Sequence, residues 1–195
     1  LQLIGYSNGG ALALSYALTA LDDKSLPRPD RLVLISPMVG VTAFARFAGL
    51  AALPAMFPAF ARAAWITTLP EFNPFKYNSF PVNAARQSYL LTDFLQGKIR
   101  AHARQNGLAD FPPVLTFQSV VDFTVSTEAI VGALYAQLPS NGSELVLFDI
   151  NRSSKMGLLL RPSLDVAAER LLPPPPRRFT TAVVTNGDGA SPNVV

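Results

Sequence analysis

The chain has 195 residues, of which 49% are hydrophobic, enough for one domain with a substantial buried core. Its 16 basic and 13 acidic residues give a net charge of +3 that is spread along the sequence, which argues against a nucleic-acid partner. With no cysteine and one histidine, the chain can form neither disulfides nor thiolate or histidine-cluster metal sites, and we expect no metal and no cofactor.

The start of the chain predicts a strand, a helix and a second strand. Residues 1–4 form an apolar run typical of a buried strand, and residues 9–21 carry apolar side chains at helical spacing. A polar loop with prolines then leads to a second apolar run at residues 31–36. Because the two strands are joined by a helix, we expect them to lie parallel with a right-handed crossover.

The middle of the chain, residues 41–112, is rich in alanine, phenylalanine and proline. We interpret it as a helical cap inserted between two parts of an α/β core, residues 1–40 and 113–195. Its predicted features are helices at 42–52 and 84–105 and a turn-rich segment at 70–81.

The last part, residues 113–195, returns to alternating strands and helices. The predicted elements are strands at 114–120, 144–148 and 180–185 and helices at 127–138 and 162–172. The four prolines at 173–176 are interpreted as a stiff linker, with a polyproline ligand for an aromatic-lined module as the alternative. The whole pattern predicts an α/β fold with a mostly parallel sheet flanked by helices.

A serine stands where the first strand meets the first helix, in the sequence Gly-Tyr-Ser-Asn-Gly at residues 5–9. A nucleophilic serine on such a turn is held in a strained backbone conformation that exposes its hydroxyl above the carboxyl edge of the sheet. The backbone N–H of Asn8, at the start of the helix, is placed to stabilise an oxyanion. The motif therefore predicts Ser7 as a nucleophile.

The glycines of this turn have a predicted steric role. Gly5 and Gly9 lie two positions before and after the serine, where we expect the chain to pass so close that a Cβ atom would clash. Gly10 is expected to let the helix pack closely on the strand.

With this motif between a strand and a helix, the sequence resembles the α/β-hydrolase superfamily, in the style of its lysophospholipase, monoacylglycerol-lipase and serine-aminopeptidase-like branch. The resemblance covers the nucleophile strand, the next two strands and the cap between them. It implies that Ser7 attacks an acyl carbon. It also implies that the chain carries the C-terminal portion of the sheet and is incomplete at both ends.

The resemblance also implies an acid, which follows the serine in the chain and lies in the loop after the second strand beyond the nucleophile strand, or occasionally after the first. The first loop, residues 36–40, offers no carboxylate, whereas the second offers Asp122. Asp122 is therefore predicted to orient the catalytic histidine. The alternative is a turn aspartate ahead of the next helix, and Asp149 is the reserve candidate for the acid.

The chain's one histidine does not follow the predicted acid. His102 precedes Asp122, on a polar stretch flanked by arginines, and is interpreted as a solvated helix histidine of the cap. The catalytic histidine is expected beyond Val195, and the second oxyanion donor before Leu1. We therefore expect residues 1–195 alone to be inactive and to leave the first strand as an unpaired apolar edge.

The cap offers the best indication of substrate, because its aromatic and aliphatic residues have few charges among them. Such a surface can line an acyl-chain pocket, or its helices can simply pack on the sheet. Tyr6, Phe44, Phe57 and Trp65 are the predicted substrate-binding residues. Basic side chains that can bind an anionic head group, or act as ordinary solvated charges, are Arg46, Arg62, Lys76 and Arg86.

Together these features predict a serine hydrolase that cleaves carboxylic esters of acylglycerol or lysophospholipid type through an acyl-enzyme. Its partner would be a small-molecule acyl ester, with peripheral contact to lipid as a further expectation. The alternative, favoured by the lack of a suitably placed histidine, is a non-catalytic binding protein with the α/β-hydrolase fold. No apolar run reaches the about 18 residues of a membrane span.

Overall fold

The computed structural model describes residues 1–40, 58–70, 72, 74, 78–106, 108–120, 122, 124–150 and 170–186. The strands are β1 (Gln2–Tyr6), β2 (Arg31–Ile35), β3 (Trp65–Thr67), β4 (Phe80–Pro81), β5 (Val114–Ser119), β6 (Glu144–Asp149) and β7 (Thr180–Thr185). The helices are α1 (Asn8–Asp22), a 3-10 helix (Pro58–Ala64), α2 (Val82–Asn106) and α3 (Thr127–Ala129), which continues as a π-helix (Ile130–Tyr135). The helix predicted at 42–52 lies outside the described residues. So do residues 162–169 of the helix predicted at 162–172.

Five strands form one sheet in the order β1-β2-β5-β6-β7, and every neighbouring pair is parallel. Because this order follows the chain and parallel crossovers are right-handed, the helices α1 and α2 and the π-helix lie over the same face of the sheet. On that face α2 packs against both α1 and the π-helix. The predicted α/β fold with a parallel sheet and flanking helices is confirmed.

The core lies between the sheet and this layer of helices. Alternate strand residues face the helices and are buried, as expected for a period of two. Core side chains with 1% exposure or less include Leu32, Leu34, Leu145 and Leu147 from the strands and Leu14, Leu18, Leu95 and Ile99 from the helices. The opposite face of the sheet is also apolar, but Ile4 is 73% exposed and Ile35 is 41% exposed there.

The edge strand β1 pairs with one neighbour. The carbonyl of Leu1 accepts a hydrogen bond from the N–H of Asp30 at 2.8 Å, and the N–H of Ser7 donates to Ile35 at 2.9 Å. Backbone groups alternate in direction along a strand, so those of every second residue between Leu1 and Ser7, including Ile4, point away from β2. No strand lies on that side within the described parts of the chain.

Two elements differ from the sequence prediction. Phe80–Pro81, at the end of the predicted turn-rich segment, form β4, which pairs antiparallel with β3. These strands are too short to leave a recognisable alternation in the sequence. The helix predicted at 127–138 begins at Thr127 but becomes a π-helix, in which the N–H of Ala136 donates to the carbonyl of Val131 at 2.9 Å. The strand predicted at 180–185 is confirmed as β7.

The long helix α2, which the sequence places in the cap, contributes Leu95 and Ile99 to the core. It packs on α1, the helix that follows β1. The division of the chain into core and cap stays a prediction. Within the described residues, no helix has the length and apolar character needed to cross a bilayer.

The π-helix is fixed to the sheet by Tyr135, which is fully buried. Its hydroxyl donates to the carbonyl of Glu144 at 2.6 Å, and its ring meets the ring of Phe179 edge-on, with centroids 4.8 Å apart. Burial raises the pKa of the Tyr135 phenol above its ordinary value.

We predict that Tyr135→Phe lowers the free energy of unfolding at neutral pH by about 1–2 kcal/mol, because a buried carbonyl loses its donor. The unfolded chain releases the phenol proton near pH 10, whereas the folded chain holds it to higher pH, so this residue's stabilisation disappears as the pH rises above about 10. Urea unfolding at pH 8 and pH 11 tests both effects. The variant should lose less stability than the parent between these pH values, and an equal loss would contradict the assignment.

Candidate active site

The turn between β1 and α1 holds the backbone of Ser7 in a conformation that residues other than glycine rarely adopt. Its φ is 51° and its ψ is −118°, and α1 begins at the next residue. Such a conformation costs on the order of 1–3 kcal/mol and persists only when the surrounding structure enforces it. The strained strand-to-helix turn predicted from the sequence is therefore present, and Ser7 is half-buried at the carboxyl edge of the sheet.

The hydroxyl of Ser7 is not used to cap the helix. A serine at this position usually has an extended backbone and accepts a hydrogen bond from the second or third helical N–H. Ser7 makes no such bond. The N–H of Asn8 is the first of α1, so it has no acceptor within the helix, and Asn8 is exposed. The turn thus presents a hydroxyl beside an N–H that can bind negative charge.

Three backbone hydrogen bonds fix the two peptide groups of Ser7. Its N–H donates to the carbonyl of Ile35 at 2.9 Å, and its carbonyl accepts from the N–H groups of Gly10 and Met38, both at 3.0 Å. Ile35 and Met38 belong to β2 and the loop after it. Sequence reasoning does not find these contacts, because backbone donors and acceptors leave no pattern of residue types.

The two glycines that the turn requires are Gly5 and Gly10. A Cβ atom on Gly5 would lie 2.6 Å from the Cα of Gly10, and one on Gly10 would lie 2.7 Å from the Cβ of Pro37. The helix therefore starts directly against the strand, as predicted for Gly10. The predicted clash at Gly9 is wrong, because a Cβ atom there would lie more than 4 Å from every described residue outside its own helix. Gly9 lies on the open side of the first helical turn.

Asp122 lies in the loop between β5 and α3. Its Oδ1 accepts from the N–H groups of Thr124 and Val125, at 2.8 and 3.0 Å. This is the turn role that the sequence left open as the alternative, although α3 itself is capped by Ser126. No hydrogen bond to Oδ2 is found among the described residues. The carboxylate is thus held in place through Oδ1.

The sheet brings Ser7 and Asp122 to the same edge. Both follow the carboxyl end of a parallel strand, and β2 is the single strand between β1 and β5. Two interstrand spacings of about 4.8 Å place the ends of β1 and β5 roughly 10 Å apart. That separation leaves room for one side chain between them. Asp149 ends β6, one strand further from Ser7, and is buried.

His102 lies at the opposite edge of the sheet. It is 8% exposed, and its Nε2 is 3.3 Å from Oδ2 of Asp22, the last residue of α1. The interpretation as a solvated histidine is wrong, because the imidazole is buried between α1 and α2. The length of α1 separates this pair from Ser7 by about 20 Å.

The predicted substrate-binding residues are only partly described. Tyr6 ends β1 directly before Ser7 and is 68% exposed. Trp65 lies in the hairpin of β3 and β4 and is 44% exposed. Phe44 and Phe57 lie outside the described residues, so the substrate contacts stay predictions. The described residues contain no group of three or more histidine, cysteine, aspartate or glutamate side chains that could hold a metal ion.

A parallel sheet with a strained serine between strand and helix defines the α/β-hydrolase fold, and solved structures share it. A structure reported for LipS and LipT, two metagenome-derived lipolytic enzymes, is 19% identical over 87% of this chain and 65% of that chain, with a TM-score of 0.53. A soluble variant of monoglyceride lipase from Saccharomyces cerevisiae, in complex with a substrate analog, is 15% identical over 74% of this chain and 51% of its own, with a TM-score of 0.47.

The chain thus spans 51% and 65% of the lengths of these two structures. No protein-family model and no curated protein matches it. The parallel sheet and the likeness to the structure reported for LipS and LipT show that the chain has the α/β-hydrolase fold.

We predict opposite outcomes for two neighbouring glycines of the turn. Gly10→Ala should lower the free energy of unfolding by about 1–3 kcal/mol, because its Cβ atom meets the backbone and ring of Pro37. Gly9→Ala, the control, should leave stability unchanged or raise it by up to about 1 kcal/mol, because alanine favours helix and the site is open. Urea midpoints at constant m-value measure both changes, and an equal effect of the two variants would refute the packing described.

Proposed function

We propose that the protein is a serine hydrolase of carboxylic esters with Ser7 as its nucleophile. One observation carries the proposal: Ser7 keeps a φ of 51° at the junction of a parallel strand and a helix while its hydroxyl caps nothing. An ordinary capping serine would relax to an extended backbone and bond to the helix. The retained strain is explained if the hydroxyl is held toward a substrate.

In the proposed reaction, Ser7 Oγ attacks the acyl carbon of the ester while a histidine accepts its proton. The carbonyl oxygen becomes an oxyanion, to which the N–H of Asn8 donates. The histidine then returns the proton to the departing alcohol, leaving an acyl-serine. Water, activated by the same histidine, attacks the acyl carbon and releases the carboxylic acid and free Ser7.

Asp122 is proposed to orient that histidine through Oδ2. The two N–H groups that bind Oδ1 fix the plane of the carboxylate, and a fixed carboxylate holds the imidazole in one tautomer and stabilises its protonated form. Because His102 is already paired with Asp22 at the far edge of the sheet, the proposal places the catalytic histidine outside residues 1–195.

We further propose a lipid-like acyl ester as substrate, with peripheral contact to lipid. The described part of the predicted cap exposes large apolar side chains, which favour an acyl chain or a lipid surface over a polar substrate. They include Trp65, Ile66, Leu69, Phe72 and Phe80, of which Phe72 is 80% exposed. Lipolytic enzymes that share the fold act on substrates of this class.

A second candidate function is supported by the location of His102. A protein of this fold that only binds a ligand needs no base beside Ser7, and the chain's one histidine lies at the other edge of the sheet. In that case the turn of Ser7 would bind a carboxyl or carbonyl group without covalent chemistry.

Covalent labelling by a fluorophosphonate probe distinguishes the two functions. We expect the full-length protein to be labelled with one equivalent, and Ser7→Ala to be unlabelled. Ser15→Ala, which removes a half-buried hydroxyl from the middle of α1, is the matched control and should be labelled like the parent. A folded parent that resists labelling would support the binding protein and end the hydrolase proposal.

The proposed acid is tested by Asp122→Asn. This variant keeps a side-chain oxygen that can accept from the two N–H groups of the turn, but it lacks the negative charge that would stabilise the protonated histidine. We expect turnover of a p-nitrophenyl ester to fall by about 10³–10⁴-fold with little change in thermal stability. Asp149→Asn is the comparison, since Asp149 is the reserve candidate. If Asp149→Asn shows the larger loss and Asp122→Asn stays active, the acid has been assigned to the wrong strand.

A further inference from the structure

The loop after β2, residues 36–40, separates the turn of Ser7 from the turn of Asp122. It must do so because β2 lies between β1 and β5. On one side, the N–H of Met38 donates to the carbonyl of Ser7 at 3.0 Å. The position of this loop therefore affects the backbone of the proposed nucleophile directly.

Backbone groups also hold the loop on the side of β5. The N–H of Ser36 donates to the carbonyl of Phe117 at 2.9 Å, and the carbonyl of Gly40 accepts from the N–H of Ser126 at 3.2 Å. Ser126 caps α3, the helix that follows Asp122. The loop is thus bonded to both turns that carry the proposed nucleophile and acid.

A side chain from a distant part of the sequence fixes the middle of the loop. Gln96, on α2, donates from Nε2 to the carbonyl of Val39 at 2.9 Å across 57 positions of sequence. Val39 is fully buried, and its N–H donates to the carbonyl of Pro37 at 2.8 Å, which ties residues 37–39 into one tight turn. A displacement of the Val39 carbonyl would therefore also displace Met38, whose N–H donates to the carbonyl of Ser7.

We infer that Gln96 is a positioning residue for Ser7, an inference that rests on the proposed hydrolase function. Its side-chain amide holds the loop in the position in which the N–H of Met38 can donate to the carbonyl of Ser7. Because α2 directly follows the hairpin at Val82, Gln96 also connects the end of the predicted cap to the proposed nucleophile.

The first test is the rate at which a fluorophosphonate labels Ser7 in Gln96→Glu. This change keeps the shape of the side chain but replaces the donor with a carboxylate that repels the Val39 carbonyl. We expect labelling to be about 10–100-fold slower, the scale of effect for a small misplacement of a reacting group. Gln87→Glu, the same change at an exposed position of α2, should label within twofold of the parent. Equal rates for the parent and Gln96→Glu overturn the inference.

The pH dependence separates positioning from loss of stability. A protonated carboxyl can donate to the Val39 carbonyl as the amide does. Nη1 of Arg100 donates to Oε1 of Gln96 at 3.4 Å, so this guanidinium favours the charged carboxylate and lowers the pH at which the carboxyl takes up its proton. The labelling rate of Gln96→Glu relative to the parent should therefore recover as the pH falls from 7 to 4, at a temperature well below both unfolding midpoints. A ratio that stays constant or falls over this range contradicts the inference.

Amide hydrogen exchange at Met38 tests the contact without relying on chemistry at Ser7. We expect exchange about tenfold faster in Gln96→Glu than in the parent, the effect of losing one net hydrogen bond, and unchanged exchange in Gln87→Glu. If the parent resists labelling, the hydrolase proposal fails while this measurement still decides the contact. Unchanged exchange at Met38 in Gln96→Glu would overturn the inference even if the parent is labelled.

Discussion

The backbone of Ser7 is held in an unfavourable conformation by hydrogen bonds on both sides of the residue, and the whole site depends on this constraint. Its N–H is bound by Ile35 and its carbonyl by Gly10 and Met38. Without them the turn would relax and recover on the order of 1–3 kcal/mol. Two of the three partners come from β2 and its loop, so the geometry of Ser7 depends on two strands.

The sheet topology then determines what can lie near Ser7. Parallel strands bring the loops at their carboxyl ends to one edge, which places Asp122 on the same side as Ser7 with only the loop of β2 between. The opposite edge serves a structural purpose. There His102 pairs with Asp22, and Nζ of Lys98 donates to Thr19 at 3.0 Å. The helix α1 is thus fixed by close packing at its start and by polar contacts with α2 at its end.

Local patterns predicted much of the fold and of the turn. The apolar runs of β2 and β7, and a serine between glycines at the end of a strand, are properties of a few adjacent residues and were read correctly. The π-helix, the hairpin, the burial of His102 and the openness around Gly9 depend on residues far apart in sequence, as does the contact of Gln96 with Val39. Residue types alone do not reveal such contacts, which explains why the steric roles of Gly5 and Gly10 were predicted correctly but the clash at Gly9 was not.

The strand that carries Ser7 is supported from one side, since the outward backbone groups of residues such as Ile4 meet no strand in the described part of the sheet. Fluctuations that detach an edge strand cost less free energy than those that open a central one. An extended segment that paired with the open edge of β1 would therefore bind only molecules in which β1 is attached to the sheet. By mass action, its concentration would then set the fraction of molecules in which Ser7 keeps the backbone conformation described above.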